Sequence, residues 1–321
     1  MVRIWARFAF RLVCATIFLL MVWMLFTHQV EAPLPKLLYS QDRTGTLYLW
    51  DADCPLLSTS CIHDRLLLQG LNNPFSVAQW SPDGASIAVY LSDSWVIYPA
   101  ECLVQDKSCT PWRLDSSAND TRIAWGPDGT TLAYITDSNS ATMRILTRGC
   151  WDQSRQRCLE QTVRVASRGV LRQPAWSADG SRFAFLGLQP AGLFRLDAVC
   201  LDNPDSCTDS MQFVSTNVGS VFWPLLSADG RQLLYFGVDT EGVGQLYRAD
   251  IDSGAIQQLT FRAGGAGVPA WSNDGRYIAF SGFKGRSGGD LGIYVFDVER
   301  QLTGLAILRP GANFNYPAWS P

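Results

Sequence analysis

Histidine is nearly absent from this chain: His28 and His63 are the only two in 321 residues. That leaves little room for histidine-based catalysis or for a histidine-rich metal site. Charge is scarce as well, at 17% of residues, where a typical globular chain has about a quarter. The charges present nearly cancel, to a formal −3, so no nucleic-acid partner is expected. At 47% hydrophobic, with 27 Gly and 16 Pro, the composition excludes disorder, collagen and coiled coil. What remains is a chain with 12 Trp and nine Cys. Trp and Gly with little charge favour an all-β fold, and the cysteines argue against a routine cytosolic protein.

Residues 1–35 read as a separate region. Arg3, Arg7 and Arg11 precede an uncharged apolar run at residues 12–26, extended upstream by Phe8, Ala9 and Phe10. Counted from Phe8, the stretch makes about 28 Å of helix at about 1.5 Å per residue. One reading is a signal peptide, cleaved after Val30-Glu31-Ala32, although Pro33 would then follow the cut. The other is an uncleaved transmembrane anchor, with Trp5 and Trp23 at the interfaces. Under either reading the upstream arginines stay in the cytoplasm and the rest of the chain crosses the membrane. The expected location is periplasmic or extracellular: membrane-anchored, or secreted if the segment is removed. Cys14, inside the run, reads as a simple apolar residue.

Residues 36–321 contain a repeat. Trp80-Ser81-Pro82-Asp83-Gly84 returns as Trp125-Gly126-Pro127-Asp128-Gly129 and as Trp176-Ser177-Ala178-Asp179-Gly180. It returns again as Leu226-Ser227-Ala228-Asp229-Gly230 and Trp271-Ser272-Asn273-Asp274-Gly275, and the chain closes on Trp319-Ser320-Pro321. Successive aspartates are 45, 51, 50 and 45 residues apart, the period of a propeller blade. In each copy a short apolar strand ends at the Trp, the Asp-Gly pair makes a turn, and three β-rich stretches follow. The start of the repeat region has second, third and fourth strands but no first. The end, around Tyr316-Pro317-Ala318-Trp319, has a first strand and nothing after it. Pairing the two ends predicts a sixth blade and a closed ring without open sheet edges.

Eight cysteines fall in pairs: Cys54 with Cys61, Cys102 with Cys109, Cys150 with Cys158, and Cys200 with Cys207. Eight thiols allow 105 connectivities. Because every pair sits between the third and fourth strands of its blade, the repeat singles out four local disulfides. The alternative, zinc, lacks both the ligand spacing and the histidines. Disulfides predict an oxidising compartment.

The W-S-x-D-G units, each followed by an apolar-Ala-aromatic strand, resemble the PD40 (WD40-like) repeats of TolB-type six-bladed β-propellers. The stretch Leu246-Tyr247-Arg248-Ala249-Asp250 to Gln258-Leu259-Thr260 is similar to that family's strand–hairpin–strand pattern. The resemblance implies a periplasmic protein that binds protein partners at the mouth of its propeller. The same repeats occur beside serine-peptidase domains of the prolyl-oligopeptidase group. Within these 321 residues no α/β segment precedes the repeats and no hydrolase follows them.

No catalytic constellation emerges. There is no G-x-S-x-G elbow, and His63 beside Cys61 reads as a loop residue. The repeat aspartates read as turn formers, Asp250 and Asp252 as a hairpin rather than a calcium site, and no metal or cofactor is expected. Binding is the better reading. Loops that enter each first strand should meet at one rim of the channel, carrying Asn73, Phe75, Arg122, Arg172, Gln173, Asn315 and Tyr316. Amide, guanidinium and aromatic groups suit an envelope or extracellular protein or glycan, with Arg122, Arg172 and Tyr316 the strongest candidates. The alternative is an exported propeller enzyme, a carbohydrate-active hydrolase or lyase.

Overall fold

The computed structural model describes residues 36–321 apart from 42–44, 51–63, 70–76, 92–93, 106, 115–121, 136–141, 148–159, 165–170, 189–190, 203–206, 208–210, 215, 263 and 286–288. The N-terminal hydrophobic segment lies outside the described residues. Among the described residues no helix is long and apolar enough to cross a membrane.

Strands β1 (Leu37–Gln41), β2 (Thr46–Trp50) and β3 (Asp64–Leu68) open the chain. Blade 1 follows as β4 (Ala78–Trp80), β5 (Ser86–Leu91), β6 (Ser94–Pro99) and β7 (Trp112–Arg113), with a short helix α1 (Ala100–Val104) after β6. Blade 2 is β8 (Ala124–Trp125), β9 (Thr131–Ile135), β10 (Thr142–Thr147) and β11 (Glu160–Arg164). Blade 3 is β12 (Leu171–Trp176), β13 (Arg182–Leu188), β14 (Ala191–Asp197) and β15 (Gln212–Val214). Blade 4 is β16 (Ser220–Leu226), β17 (Gln232–Val238), β18 (Gly244–Asp250) and β19 (Ile256–Gln258). Blade 5 is β20 (Gly267–Trp271), β21 (Tyr277–Phe283), β22 (Leu291–Asp297) and β23 (Leu302–Ile307), and β24 (Phe314–Trp319) ends the chain.

These strands form six antiparallel sheets of four, one per blade, and the last sheet has the order β24-β1-β2-β3. The predicted closure is therefore present: Leu37 pairs with Trp319 and Gln41 with Phe314, and Ser320 N–H donates to Lys36 O. Five internal blades plus this composite make a six-bladed all-β propeller.

Four of the five Asp-Gly turns use their Asp in the same way. Ser81 Oγ donates to Asp83 Oδ1 at 2.6 Å, Ala85 N–H donates to the same oxygen, and Ser86 N–H donates back to Ser81 Oγ. Ser177 with Asp179, Ser227 with Asp229 and Ser272 with Asp274 repeat the scheme. In blade 2 Gly126 replaces the serine, and Thr130 and Thr131 donate to Asp128 instead. The turns also abut. A Cβ on Gly129, whose φ is +64°, would lie 2.5 Å from Asp83 Cγ, so this glycine is required both by backbone and by its neighbour.

Hydrophobic burial lies between blades, as a ring of two-faced sheets demands. Val77, Ala88 and Ile97 of blade 1 meet Ile123, Leu132 and Tyr134 of blade 2. Ile135 and Met143 of blade 2 meet Phe183 and Phe185 of blade 3. Leu38 and Leu47 of the composite blade meet Ile87 and Val89 of blade 1.

Disulfides Cys102–Cys109 and Cys200–Cys207 are formed, with Cα–Cα distances of 5.8 and 4.8 Å. They lie where the repeat puts them, between third and fourth strands. No plain hairpin carries them: Cys102 sits in α1, and Cys200 in a one-turn 3₁₀ helix at Ala198–Asp202. Each bridge ties a helical connection rather than two facing strands. The other two expected bridges, Cys54 with Cys61 and Cys150 with Cys158, fall on segments 51–63 and 148–159. Cys54, Cys61, Cys150 and Cys158 therefore lie outside the described residues, and their pairing rests on the repeat alone.

Candidate functional site: the central channel

First strands line the channel of a propeller, and here each contributes a comparable residue three positions before the repeat Trp or its Leu226 replacement. These six are Val77, Arg122, Gln173, Trp223, Val268 and Tyr316. Four of them have a left-handed backbone: Gln173 (φ 53°), Trp223 (φ 56°), Val268 (φ 26°) and Tyr316 (φ 52°). A non-glycine residue adopts this conformation only where its surroundings impose it.

All four precede a proline: Pro174, Pro224, Pro269 and Pro317. In the same four blades the ladder from first to second strand slips, for instance between Arg172 and Ala175 and between Phe222 and Leu225. Each slip is a β-bulge, in which an extra residue on the inner strand has no cross-strand partner. Proline brings no N–H to such a site, so no donor is orphaned there. In two of the four bulges the donor beside the proline has a side-chain acceptor. Trp223 N–H donates to Gln173 Oε1 at 2.7 Å, and Tyr316 N–H to Asn315 Oδ1 at 2.9 Å. Val77 and Arg122 have no following proline, and their ladders run without a slip.

Arg122, Trp223 and Tyr316 meet in the middle of the channel. Arg122 Nη1 donates to Pro224 O at 3.2 Å, and its guanidinium lies 5.1 Å from the Trp223 ring centre. Trp223 and Tyr316 rings are 5.9 Å apart. These residues belong to blades 2, 4 and 6, so each contact reaches past an intervening blade.

From this layer a cavity of about 310 Å³ runs to the Asp-Gly turns, where Pro82, Pro127 and Asn273 line it. Its walls carry the repeat indoles Trp80, Trp125, Trp176, Trp271 and Trp319. Several are pinned: Trp271 Nε1 donates to Gly275 O at 2.9 Å, and Trp319 Nε1 to Ala270 O at 3.2 Å. At the turn end the carboxyl of Asp229 is held below the usual carboxylate range, chiefly by the Ser227 hydroxyl. For Asp128 and Asp179 burial pushes the carboxyl up, but hydrogen bonds from Thr130 and Thr131, and from Ser177 and Ser181, outweigh it. All three stay ionised at neutral pH.

The predicted rim residues thus separate. Arg122 and Tyr316 line the cavity, each only 8% exposed: they sit inside the channel rather than on an open lip. Gln173 and Asn315 hold the bulges by accepting the N–H groups named above. Arg172 is half-buried in β12, pairs with Leu186 and does not line the cavity. Asn73 and Phe75 lie outside the described residues. Trp223 was missed, and the signal that finds it is the proline two residues before the repeat Trp.

Ring, closure and channel define a six-bladed propeller of the TolB type. A TolB crystal structure from Acinetobacter baumannii superposes with a TM-score of 0.66 at 16% identity, covering 89% of this chain and 67% of that one. A putative TolB from Agrobacterium tumefaciens gives 0.58 at 16% identity, over 90% and 99%. A chain of a nidogen/laminin complex gives 0.61 at 10% identity, over 89% and 98%. No protein-family profile matches the chain. Among curated proteins, the uncharacterized peptidase YuxL of Bacillus subtilis (strain 168) is 24% identical over 216 residues, 63% of this chain. The chain spans 28% of the length of that relative.

Proposed function

We propose that this chain is an exported β-propeller, held at the membrane by residues 1–35 or released from them, that binds a protein or glycan of the cell envelope or extracellular space. It acts as a binding or scaffold module rather than as an enzyme. The observation that carries this reading is the channel: four proline-linked bulges turn side chains inward, and Arg122, Trp223 and Tyr316 converge above an indole-walled cavity. Left-handed backbone at four non-glycine positions is conformational strain of the kind that gathers at functional sites. A cavity of about 310 Å³ falls in the size range of ligand pockets. Structural neighbours that include a nidogen/laminin complex support a protein partner. Two formed disulfides support an oxidising compartment.

The test is affinity capture of envelope components by the full-length chain. Capture that is lost in Tyr316→Ala and kept in Arg172→Ala supports binding in the channel. Equal capture by both variants refutes it. The enzyme alternative has one observation in its favour, the likeness to a peptidase. Turnover of peptide or glycan substrates by the purified chain, abolished by a channel substitution, is the result that favours it.

A further inference from the structure

Two phenylalanine–cation pairs stand together on the ring, outside the channel. Phe261-Arg262 lies in the loop between β19 and β20, and Phe283-Lys284 at the end of β21. Phe261 is 79% exposed and Phe283 40%, and Lys284 is exposed as well. Scattered exposed apolar residues need no explanation, whereas clustered ones mark interaction surfaces.

Arg262 joins the two pairs. Its Nη2 donates to Phe283 O at 2.9 Å, and its guanidinium lies 3.6 Å from the Tyr294 ring centre. The loop behind it is held from blade 4: Gln245 Nε2 donates to Arg262 O at 2.8 Å, and Arg262 N–H donates to Gln245 Oε1 at 3.2 Å. A Cβ on Gly264 would come within 2.6 Å of Phe283 O, so the loop lies directly against the end of β21. Ring and carbonyl therefore position the guanidinium before any partner arrives, which lowers the entropy cost of using it.

Its charge has no counterpart. Arg262 Nε is enclosed without an acceptor, and Nη1 donates to nothing. Among the described residues neither Arg262 nor Lys284 is in an ion pair. The carboxylates of the neighbouring hairpins serve their own turns. Asp239 Oδ1 accepts the N–H groups of Glu241 and Val243, and Asp290 Oδ1 accepts that of Gly311. Positioned guanidinium beside exposed aromatic rings is the composition enriched at protein interfaces.

We propose that this surface of blades 4 and 5 docks an acidic segment of a partner protein, whose carboxylate meets Arg262 and whose apolar side chains cover Phe261 and Phe283. The surface is separate from the channel, whose cavity none of these residues lines. An anionic bilayer also attracts cations and phenyls. Its broad negative plane would press on Asp239, Glu241 and Asp290 too, whereas one narrow segment reaches the two cations alone. The charge pattern therefore favours a protein.

The experiment titrates fluorescein-labelled Leu-Glu-Phe-Asp-Leu-amide with the full-length chain, following anisotropy. The peptide is expected to bind about fivefold tighter than Leu-Gln-Phe-Asn-Leu-amide, and Arg262→Gln to erase that difference. Phe261→Ser is expected to weaken binding about fivefold, while Arg248→Gln, at a guanidinium that donates to Gln257 instead, leaves it unchanged. Should Arg262→Gln not fold, the two peptides and Phe261→Ser decide. Equal affinity for the two peptides, or binding of neither, overturns the proposal. So does binding that Tyr316→Ala removes and Phe261→Ser leaves intact, which would place the peptide in the channel. Phe261-dependent binding of phosphatidylglycerol vesicles in place of the peptide assigns the surface to a bilayer and overturns it as well. None of these failures touches the channel reading, which has its own test.

Discussion

Blades 1 and 2 differ from blades 3 to 6 in a single feature of their inner strands. In blades 1 and 2 the residues before the repeat Trp are Val77-Ala78-Gln79 and Arg122-Ile123-Ala124, and the ladder is regular. In the other four a proline stands two places before the Trp or Leu226, the preceding residue is left-handed and the ladder slips. One ring therefore contains two kinds of inner strand. The regular kind presents Val77 and Arg122 on an unstrained backbone. The bulged kind re-aims its residue toward the channel, which brings Trp223 and Tyr316 into contact across alternate blades. Among the described residues, four of the five left-handed non-glycine positions lie in the wall that faces the candidate ligand, and the fifth, Gln301 (φ 55°), is in the hairpin before β23. The hairpins and blade joints outside it follow ordinary turn and packing rules.

The largest effect should come from the residue that joins the two kinds of strand. Trp223→Ala removes the surface under Arg122 and the partner of Tyr316, at an expected cost of about 3 kcal/mol, the low end for a Trp truncation because Trp223 is only half-buried. Urea unfolding of the variant measures it. A loss below about 1 kcal/mol would show that the cross-channel contacts contribute little to the ring.

Next is one substitution made in both kinds of strand. Val77→Gly deletes a side chain that is 4% exposed on a regular backbone, and should cost about 2–3 kcal/mol in lost burial and added chain freedom. Val268→Gly deletes an equivalent side chain at φ 26°. There glycine relieves about 1–3 kcal/mol of backbone strain, so the net change should stay within about 1 kcal/mol of zero. Equal losses at the two sites would remove strain from the account of the bulges.

Most of this architecture was legible in the residues. The Trp-Ser-x-Asp-Gly period predicted the blades, their strands and the closing sheet because turn chemistry and strand alternation are local. The positions of the Cys102–Cys109 and Cys200–Cys207 bridges followed from the same period. The helical turns that carry Cys102 and Cys200 did not, since nothing in a short Cys-bounded segment distinguishes a hairpin from a helix. At the site, Arg122 and Tyr316 were found by residue type, but their burial was not. A loop approaching a first strand looks alike whether its last residue ends on the lip or inside. Trp223 lies in a copy whose repeat Trp is replaced by Leu226, and its place in the channel depends on bulge geometry that no single copy displays. Only the recurrence of proline in four copies carried that signal.

A third comparison sets the two acceptors of the bulges against each other. Gln173→Ala deprives Trp223 N–H of an acceptor that comes from the neighbouring blade, at about 1–2 kcal/mol for a donor left inside the fold. Asn315→Ala removes an acceptor adjacent in sequence, a contact that survives in part in the unfolded chain and should cost under about 1 kcal/mol. Slower amide exchange at Trp223 than at Tyr316 in the wild type, with the order reversed in Gln173→Ala, is the matching NMR signature.

The smallest effect should appear in the feature both kinds of blade share, the Asp-Gly turn. Asp128 ends a regular inner strand and Asp229 a bulged one, and both carboxyls are held below their ordinary value. In the unfolded chain each returns to about 3.9. A group with a depressed folded value contributes its stability above the unfolded value and loses it as pH falls through the folded one. The wild type should therefore lose stability steadily below about pH 4. Asp128→Asn and Asp229→Asn should each flatten that decline, without changing its slope above about pH 5. Urea midpoints measured in steps from about pH 5 down to about pH 2 supply the test, and the two variants should flatten the decline alike. If Asp229→Asn acted alone, the bulge would have to reach into the turn, and the two kinds of inner strand would differ along their whole length rather than only at the proline.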